Sequence, residues 1–206
     1  NVNKIREDQT EYIRNIIASQ HGSVLAHAQY VFVFQNVSRV FTHELLRHQA
    51  GARPEDQGDL LTAEGISQES QRYVRTNDLG FWFPDCFDVD DRKLIQEYIE
   101  EAERLIGWFY HKYDLDNPKG RFADKKKMTS AIRRLPPQGI STDMVWSANL
   151  RTIRHCLEAR TSEGAEEEIR KVFQDVGSIM KSEILEVFSD YIVNDKGEWT
   201  TPYRKV

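Results

Sequence analysis

The sequence predicts a mixed α/β protein in which long helices accompany a small amount of extended structure. Residues 3–20, 90–110 and 166–188 repeat apolar side chains at the three- and four-residue spacing of amphipathic helices. Residues 28–34 are instead rich in tyrosine, valine and phenylalanine with weak alternation, which is typical of a strand. Residues 66–75 carry small polar side chains and two arginines, and we expect them to be extended.

The first two predicted helices flank the predicted strand. The first covers residues 3–20 and ends before His21, and its apolar face consists of Ile5, Tyr12, Ile13, Ile16 and Ile17. The second covers residues 39–49. Its apolar stripe recurs at every fourth residue and consists of Val37, Phe41 and Leu45.

Residues 50–65 have the composition of a loop, with Pro54 and three glycines. Loops longer than about 12 residues inside compact domains are commonly functional lids or disordered insertions. Both interpretations are open for this segment. Residues 80–88 form an aromatic cluster, which we interpret as a segment buried against the core rather than as a stacking platform.

We expect Asp90 or Asp91 to cap the long helix that follows. Its predicted core face consists of Leu94, Ile95, Tyr98, Ile99, Ala102, Leu105, Ile106, Phe109 and Tyr110. A short basic helix is predicted over residues 122–134. Pro136 and Pro137 end it, because proline lacks the amide donor and restricts the residue before it.

Residues 147–160 form another predicted helix, with a buried stripe made of Leu150, Ile153 and Leu157. Asn149 and Arg160 fall along its apolar flank, where polar groups need partners. From the residues alone, an internal ion pair and a functional site both remain open.

The last long helix has Thr161 and Ser162 as candidate caps. Residues 194–206 are polar, and we expect them to fray.

Composition excludes several classes of function. Lys and Arg number 28 against 33 Asp and Glu, and the formal net charge of −5 argues against a dedicated nucleic-acid binder. Cys86 and Cys156 are too few for a disulfide framework, and no metal site is predicted. We find no apolar run of about 18 residues, so no membrane span is expected, and a cytoplasmic location is the default. A length of 206 residues fits one domain over residues 1–206.

Two segments carry chemistry-bearing residues in a recognisable order. The first begins Arg47-His48-Gln49, and the second reads Ser67-Gln68-Glu69-Ser70-Gln71-Arg72-Tyr73. Together they resemble the signature of the flavin-dependent thymidylate synthases, in which Arg-His-Arg is followed after seven residues by Ser and then by Arg-Tyr. The sequence departs from that signature at Gln49, which replaces arginine, and in the twenty residues between Gln49 and Ser70.

Four other segments match that family in the same order along the chain. Residues 21–27 are similar to its His-x-Ser/Thr-Pro-Phe-Glu-His segment, although Val24 and Ala26 replace Pro and Glu. Without the family, residues 21–23 read as a turn with a capping serine. The remaining matches are residues 32–39, residues 133–143, and Asn149-x-Arg151 with His155 and Arg160.

The resemblance implies a fold, an assembly and a reaction. The family fold is α/β, a small mixed sheet flanked by long helices, assembled as a homotetramer with shared active sites. The implied reaction is the reductive methylation of C5 of dUMP, with FAD as cofactor, methylenetetrahydrofolate as carbon donor and NADPH as reductant. Because the segment after Gln49 is thirteen residues longer than the family spacing, we also expect UMP as a substrate, as for a polyoxin-pathway uridylate methylase in antibiotic biosynthesis.

The resemblance also implies roles for individual residues. It assigns to Arg160 the catalytic role of stabilising the ionised pyrimidine. It implies nucleotide binding by Glu44, Arg47, Gln68, Glu69, Ser70, Gln71, Arg72 and Arg133. It implies flavin binding by His21, Ser23, Arg47, His48, Gln49, Gln68, Asn149, Arg151 and His155.

Two alternatives to a methylase remain. One is a flavin- or nucleotide-binding relative that has lost methylase activity, suggested by Glu44 where the family has Gln, and by Ala26 and Gln49. The other is a plain helical scaffold that ignores nucleotides.

Overall fold

The computed structural model describes residues 8–48, 65–71, 78–204 and 206. The chain divides into two compact units. We call the unit formed by residues 1–32, 44–66 and 146–206 the terminal unit, and the one formed by residues 33–43 and 67–145 the central unit. The prediction of one domain over residues 1–206 stays a prediction. None of the helices in the described residues is long and apolar enough to cross a membrane.

The first helix, α1, spans Gln9–Ala18, within the range predicted for it. Asp8 caps it, because its carboxylate accepts from the backbone N–H groups of Thr10 and Glu11 at 2.9 and 3.3 Å. A 3₁₀ helix, Gly22–His27, follows. The predicted strand is present as β1, Gln29–Ser38.

Helix α2, Arg39–Leu46, follows β1 directly. Its N-terminus is capped by Ser38, whose Oγ accepts from Phe41 N at 3.1 Å. All three residues of the predicted stripe are buried, but only Phe41 and Leu45 lie on α2, since Val37 belongs to β1. Strand β2, Gly65–Gln68, confirms the start of the predicted extended segment.

Strand β3, Ser141–Asn149, lies between β1 and β2 in a three-stranded sheet. The prediction of a helix from residue 147 is wrong at its start, since helix α5 begins at Leu150. Burial alternates along β3, with Thr142, Met144, Trp146 and Ala148 inside. This two-residue period is the signal that the helical interpretation overlooked.

The central unit holds the long helix α3, Val89–Lys112, and the short helix α4, Phe122–Ile132. Asp88 caps α3 in a capping box with Asp91, so the prediction of Asp90 or Asp91 as cap is wrong. The core of this unit consists of Leu79, Ile99, Ile106, Leu115, Ile132 and Ile140. The core face predicted for α3 included too many residues, because Leu94 and Tyr98 are exposed.

The terminal unit is built on helix α5, Leu150–Thr161, which packs against helix α6, Glu167–Glu183. Glu166 caps α6 and not Thr161 or Ser162, because its carboxylate accepts from the N–H groups of Glu168 and Ile169.

The C-terminal residues do not fray as predicted. A one-turn helix, α7, Leu185–Phe188, precedes an antiparallel pair, β4, Ile192–Val193, and β5, Trp199–Thr200. Trp199 of β5 is buried at 4% exposure, and the burial of this side chain holds β5 in the terminal unit.

Candidate functional site

A polar cluster in the terminal unit forms around Arg160, near the C-terminal end of α5. Arg160 Nη1 donates to Glu44 Oε2 at 2.6 Å, and Nη2 donates to the backbone carbonyl of Glu44 at 2.7 Å. Its Nε donates to Nε2 of His48 at 2.5 Å. The Arg160 side chain is only 11% exposed, so each of these contacts satisfies a donor that would otherwise be costly to bury. Two of the helices therefore bring together residues that lie more than a hundred positions apart in the sequence.

His48 is held in its neutral form within this cluster. Burial lowers the pKa of His48 from 6.5 to about 4, assisted by the positive charge of Arg160. A neutral imidazole accepts at one nitrogen and carries its proton on the other. Since Nε2 accepts from Arg160, Nδ1 carries the proton. The ring of His155 lies 6.0 Å away, edge-on to that of His48.

Arg47 and Arg160 approach the same carboxylate. Arg47 Nη1 lies 3.7 Å from Glu44 Oε2, the oxygen that accepts from Arg160. The two guanidinium groups differ in environment, because the Arg47 side chain is 72% exposed. Glu44 thus joins one buried and one exposed arginine.

The other predicted flavin residues of the terminal unit lie on or beside α5. Asn149 caps α5 rather than lying on its flank, with Oδ1 accepting from Thr152 N at 2.9 Å. Its Nδ2 is buried without a hydrogen-bond partner among the described residues. Arg151 is half-buried in the first turn. His21 and Ser23 are exposed, and the 3₁₀ helix that contains Ser23 packs against α5.

The buried Nδ2 of Asn149 is a test of whether this region fits a bound cofactor. A buried amide donor left unpaired costs roughly 1–3 kcal/mol. An acceptor atom of a bound molecule removes that cost. The donor set of the terminal unit, an amide, guanidinium groups and a neutral imidazole, suits a polar heterocycle with phosphate groups.

The central unit contains a separate cavity of about 380 Å³. Its lining consists of Asn36, Arg39, Glu69, Gln71, Asp78, Leu79, Gly80, Ile140, Ser141, Thr142 and Asp143. Three polar atoms of that lining, Arg39 Nε, Gln71 Nε2 and Thr142 Oγ1, are buried without a hydrogen-bond partner in the described part of the chain. All three can donate, so the cavity is suited to a ligand with acceptor oxygens.

Arg39 supplies the positive charge of this cavity. It begins α2, and its Nη2 donates to the backbone carbonyl of Glu69 at 3.4 Å. Burial lowers the pKa of Arg39 below its ordinary value, opposed by the charge of Glu69 and assisted by that of Arg133. An arginine that is partly desolvated next to a second arginine favours an anion.

Arg39, Thr142 and Asn36 were not predicted as site residues from the sequence. Asn36 has a φ of +56°, a left-handed conformation that Asn tolerates better than most residues, and its N–H donates to Asp143 Oδ1 at 3.0 Å. Arg39 could have been suspected, because it stands where a strand turns into a helix. No sequence signal identifies Thr142.

The predicted nucleotide residues of the central unit surround or adjoin this cavity. Gln68 Nε2 donates to Thr42 Oγ1 at 3.1 Å, and Glu69 N donates to the backbone carbonyl of Asp143 at 2.9 Å. Ser70 is half-buried, and Arg133 is exposed. Gln49 and Arg72 lie outside the described residues, as do residues 50–64 of the loop predicted over residues 50–65, whose last residue, Gly65, begins β2. These assignments remain predictions.

The described residues contain no group of three or more His, Cys, Asp or Glu side chains arranged to hold a metal ion.

Comparison with a solved structure defines the class of fold. The chain superimposes on the crystal structure of the flavin-dependent thymidylate synthase ThyX of Helicobacter pylori, complexed with FAD and dUMP, with a TM-score of 0.62. The alignment covers 88% of this chain and 82% of that one at 18% sequence identity, so it shows the fold alone. The predicted fold class, a small sheet with long helices in a ThyX-like arrangement, is confirmed.

Sequence comparisons identify the family. The family model described as "Thymidylate synthase complementing protein" matches residues 1–184. A flavin-dependent thymidylate synthase of Mycolicibacterium vanbaalenii is 32% identical over 187 residues, 87% of this chain and 68% of the relative. One from Mycobacterium tuberculosis is 30% identical over 198 residues, 92% of this chain and 72% of the relative. The chain belongs to this family of enzymes, the flavin-dependent thymidylate synthases.

Proposed function

We propose that this protein is an FAD-dependent enzyme that methylates C5 of a uridine monophosphate. The carbon donor would be methylenetetrahydrofolate, and the reductant NADPH. The observation that carries the proposal is the cluster of Glu44, Arg47, His48 and Arg160, four residues from two distant segments that meet in one place. The family supports the same reaction, because its relatives from M. vanbaalenii and M. tuberculosis are named flavin-dependent thymidylate synthases.

In this proposal Arg160 stabilises negative charge on the pyrimidine. Methylation at C5 requires electron density there, which increases when the base ionises at N3. A planar guanidinium offers two parallel N–H donors to the N3 and O2 edge and carries a fixed charge. Lysine would supply a positive charge but not this planar fork of two parallel N–H donors.

The central cavity would bind the nucleotide phosphate. Arg39, Gln71 and Thr142 offer three donors there that have no partner among the described residues, and Arg133 adds positive charge nearby. Phosphate oxygens accept such hydrogen bonds strongly, since the interaction is charge-assisted. The proposed homotetramer with shared active sites allows one nucleotide to be served by residues of more than one chain.

The flavin would be held by Asn149, Arg151, His155 and His48, with His21 and Ser23 at the edge. When bound, FAD supplies the reducing equivalents of the reaction. The buried Nδ2 of Asn149, which has no partner in the part of the chain that the structure describes, supports this assignment, because the family resemblance names the same residue.

The visible absorption spectrum of the purified protein, followed by tritium release from 5-tritiated dUMP and UMP, tests the proposal. We expect a yellow protein that releases tritium only with methylenetetrahydrofolate and NADPH present. A colourless protein that releases none contradicts it.

UMP is proposed as a second substrate because of the extra thirteen residues after Gln49. Turnover of UMP and dUMP under identical conditions tests the idea, and strict rejection of UMP removes it. Deleting residues 50–62 should then change nucleotide affinity, whereas no change would mark the segment as irrelevant to recognition.

One observation favours a second candidate, a flavin- and nucleotide-binding relative without methylase activity. The charge of Arg160 is balanced by Glu44 at 2.6 Å, which reduces its effect on a pyrimidine. Flavin absorption and nucleotide binding without tritium release would support this alternative.

A further inference from the structure

We infer that Glu44 competes with the nucleotide for Arg160, so that a uracil nucleotide must displace the Glu44 carboxylate before Arg160 can bind its pyrimidine. The inference rests on the proposed function and adds the residue that controls access to Arg160. In the free protein Glu44 therefore opposes binding, although its position in the sequence predicts a substrate ligand.

The hydrogen bonds of Arg160 show why displacement is required. A guanidinium presents paired N–H groups along two edges, one that includes Nε and one formed by the two terminal nitrogens. His48 accepts from Nε at 2.5 Å, and Glu44 accepts from both terminal nitrogens, at 2.6 and 2.7 Å. A planar ligand that needs two parallel donors must replace one of these acceptors.

Among those acceptors, the Glu44 carboxylate is the one that can leave. The carbonyl of Glu44 is fixed in the backbone of α2, and the half-buried imidazole of His48 accepts from Arg160 through its single unprotonated nitrogen. The carboxylate sits at the end of a side chain with three rotatable bonds.

Arg47 gives the displaced carboxylate a new partner. Its Nη1 already lies 3.7 Å from Glu44 Oε2, since Arg47 directly follows the end of α2, three residues after Glu44. A modest rotation would transfer Glu44 from Arg160 to Arg47 without leaving it unpaired. The exposure of Arg47 means that solvent also supports the displaced state. The arrangement thus offers two positions for one carboxylate, with Arg160 free in only one of them.

Isothermal titration of dUMP into the purified protein and into a Glu44→Gln variant tests the inference. Glutamine keeps the side chain's length and an acceptor oxygen but removes the charge that holds Arg160. We expect dUMP to bind the variant about tenfold more tightly. Glu158→Gln is the matched control, because Glu158 lies on α5, as Arg160 does, and like Glu44 it pairs with an arginine, here Arg204 at 3.4 Å. Its affinity for dUMP should stay within about twofold of that of the unmodified protein.

The outcomes separate the inference from the proposed function. Equal or weaker binding by Glu44→Gln, with dUMP still bound by the unmodified protein, overturns the inference and leaves the function standing. Failure of the unmodified protein to bind any uracil nucleotide overturns both. A crystal structure of the unmodified protein with dUMP gives a second test that needs no variant. Glu44 Oε2 should then lie beyond hydrogen-bond distance of Arg160, and an intact ion pair beside bound nucleotide contradicts the inference.

Discussion

Arg160 donates its Nε–H to Nε2 of His48, and this hydrogen bond is possible only while that nitrogen is unprotonated. A protonated ring would place an N–H against an N–H, and a positive charge against the guanidinium. The pair therefore couples the stability of the terminal unit to the protonation of one histidine. The same coupling affects any reaction that uses Arg160.

Stability should accordingly depend on pH through His48. Its pKa is 6.5 as a free side chain and about 4 in the folded protein, where burial and the charge of Arg160 lower it. Between these values the unfolded chain binds the extra proton, so the free energy of unfolding falls as the pH is lowered from 6.5 towards 4. Above pH 6.5 this contribution is constant. Allowing for solvent screening of a half-buried group, the total loss is on the order of 1–2 kcal/mol.

Urea denaturation at several pH values, compared with a His48→Gln variant, measures this effect. Glutamine can still accept from Arg160 but does not titrate. The free energy of unfolding of the original protein minus that of the variant should therefore decrease as the pH is lowered from 6.5 to 4. Replacing His111, which is exposed in the last turn of α3, should leave the pH dependence of the unmodified protein in place. If the free energy of unfolding changed with pH in the same way for the original protein and for His48→Gln, His48 would not be the group that makes stability depend on pH.

The role of Arg160 can be tested with lysine. Arg160→Lys keeps a charge near Glu44 but loses the planar fork, so we expect tritium release to fall about 100-fold or more under saturating nucleotide. Flavin absorption should be retained. Arg204→Lys, which changes the exposed partner of Glu158, is the control and should have nearly full activity. If Arg160→Lys were as active as that control, the planar fork would have no part in the chemistry.

The central cavity gives a prediction about affinity rather than rate. Arg39→Gln removes the positive charge from a lining that also holds the carboxylates of Glu69, Asp78 and Asp143. We expect dUMP binding to weaken about 10- to 100-fold because a charge-assisted contact is lost. Arg121→Gln is the control, since Arg121 is exposed and pairs only loosely with Asp124 at 3.8 Å. Titration with uridine, which lacks the phosphate, discriminates further. Uridine should bind both variants alike, and an equal loss for uridine would mean that the cavity does not recognise the phosphate.

The sequence was informative where a periodicity or a motif carried the information. The helices of residues 9–18, 89–112 and 167–183 follow from their apolar spacing, and each is present. That Arg47 and Arg160 lie close together was expected from the family resemblance alone, because no local rule connects segments so far apart. Their ion pairs with Glu44 were not predicted.

Other features of the structure could not be predicted from a periodicity or a motif. Strand β3 was overlooked because three of its four outward positions carry serine or aspartate, and its buried positions include only one β-branched residue, Thr142. The need of Arg39 for a partner is invisible in sequence, since it depends on which atoms surround its Nε once the chain has folded. The C-terminal residues looked polar because the anchor of β5 is a single tryptophan, Trp199.

The buried ion pair between Arg154 and Asp190 gives the last prediction. Arg154 is fully buried, its Nη2 donates to Asp190 Oδ2 at 2.7 Å, and its guanidinium lies 4.7 Å from the ring of Tyr191. Burial alone would raise the pKa of Asp190, but hydrogen bonds from Arg154 and Thr201 outweigh it and lower that pKa. Arg154 also donates to the backbone carbonyls of Val187 and Val206, so the pair ties α5 to α7 and to the C-terminus.

Asp190→Asn leaves the buried Arg154 without its counter-charge, and we expect the free energy of unfolding to fall by about 3 kcal/mol. The exposed pair of Glu163 and Lys196, at 2.8 Å, is the control, and Glu163→Gln should cost less than about 1 kcal/mol. Replacing Arg154 by methionine together with Asp190→Asn should recover part of the loss, because no buried charge then remains unpaired. Urea denaturation of the three variants measures these differences. A double variant no more stable than Asp190→Asn would show that packing of the Arg154 side chain, and not its charge, fastens the C-terminus to α5.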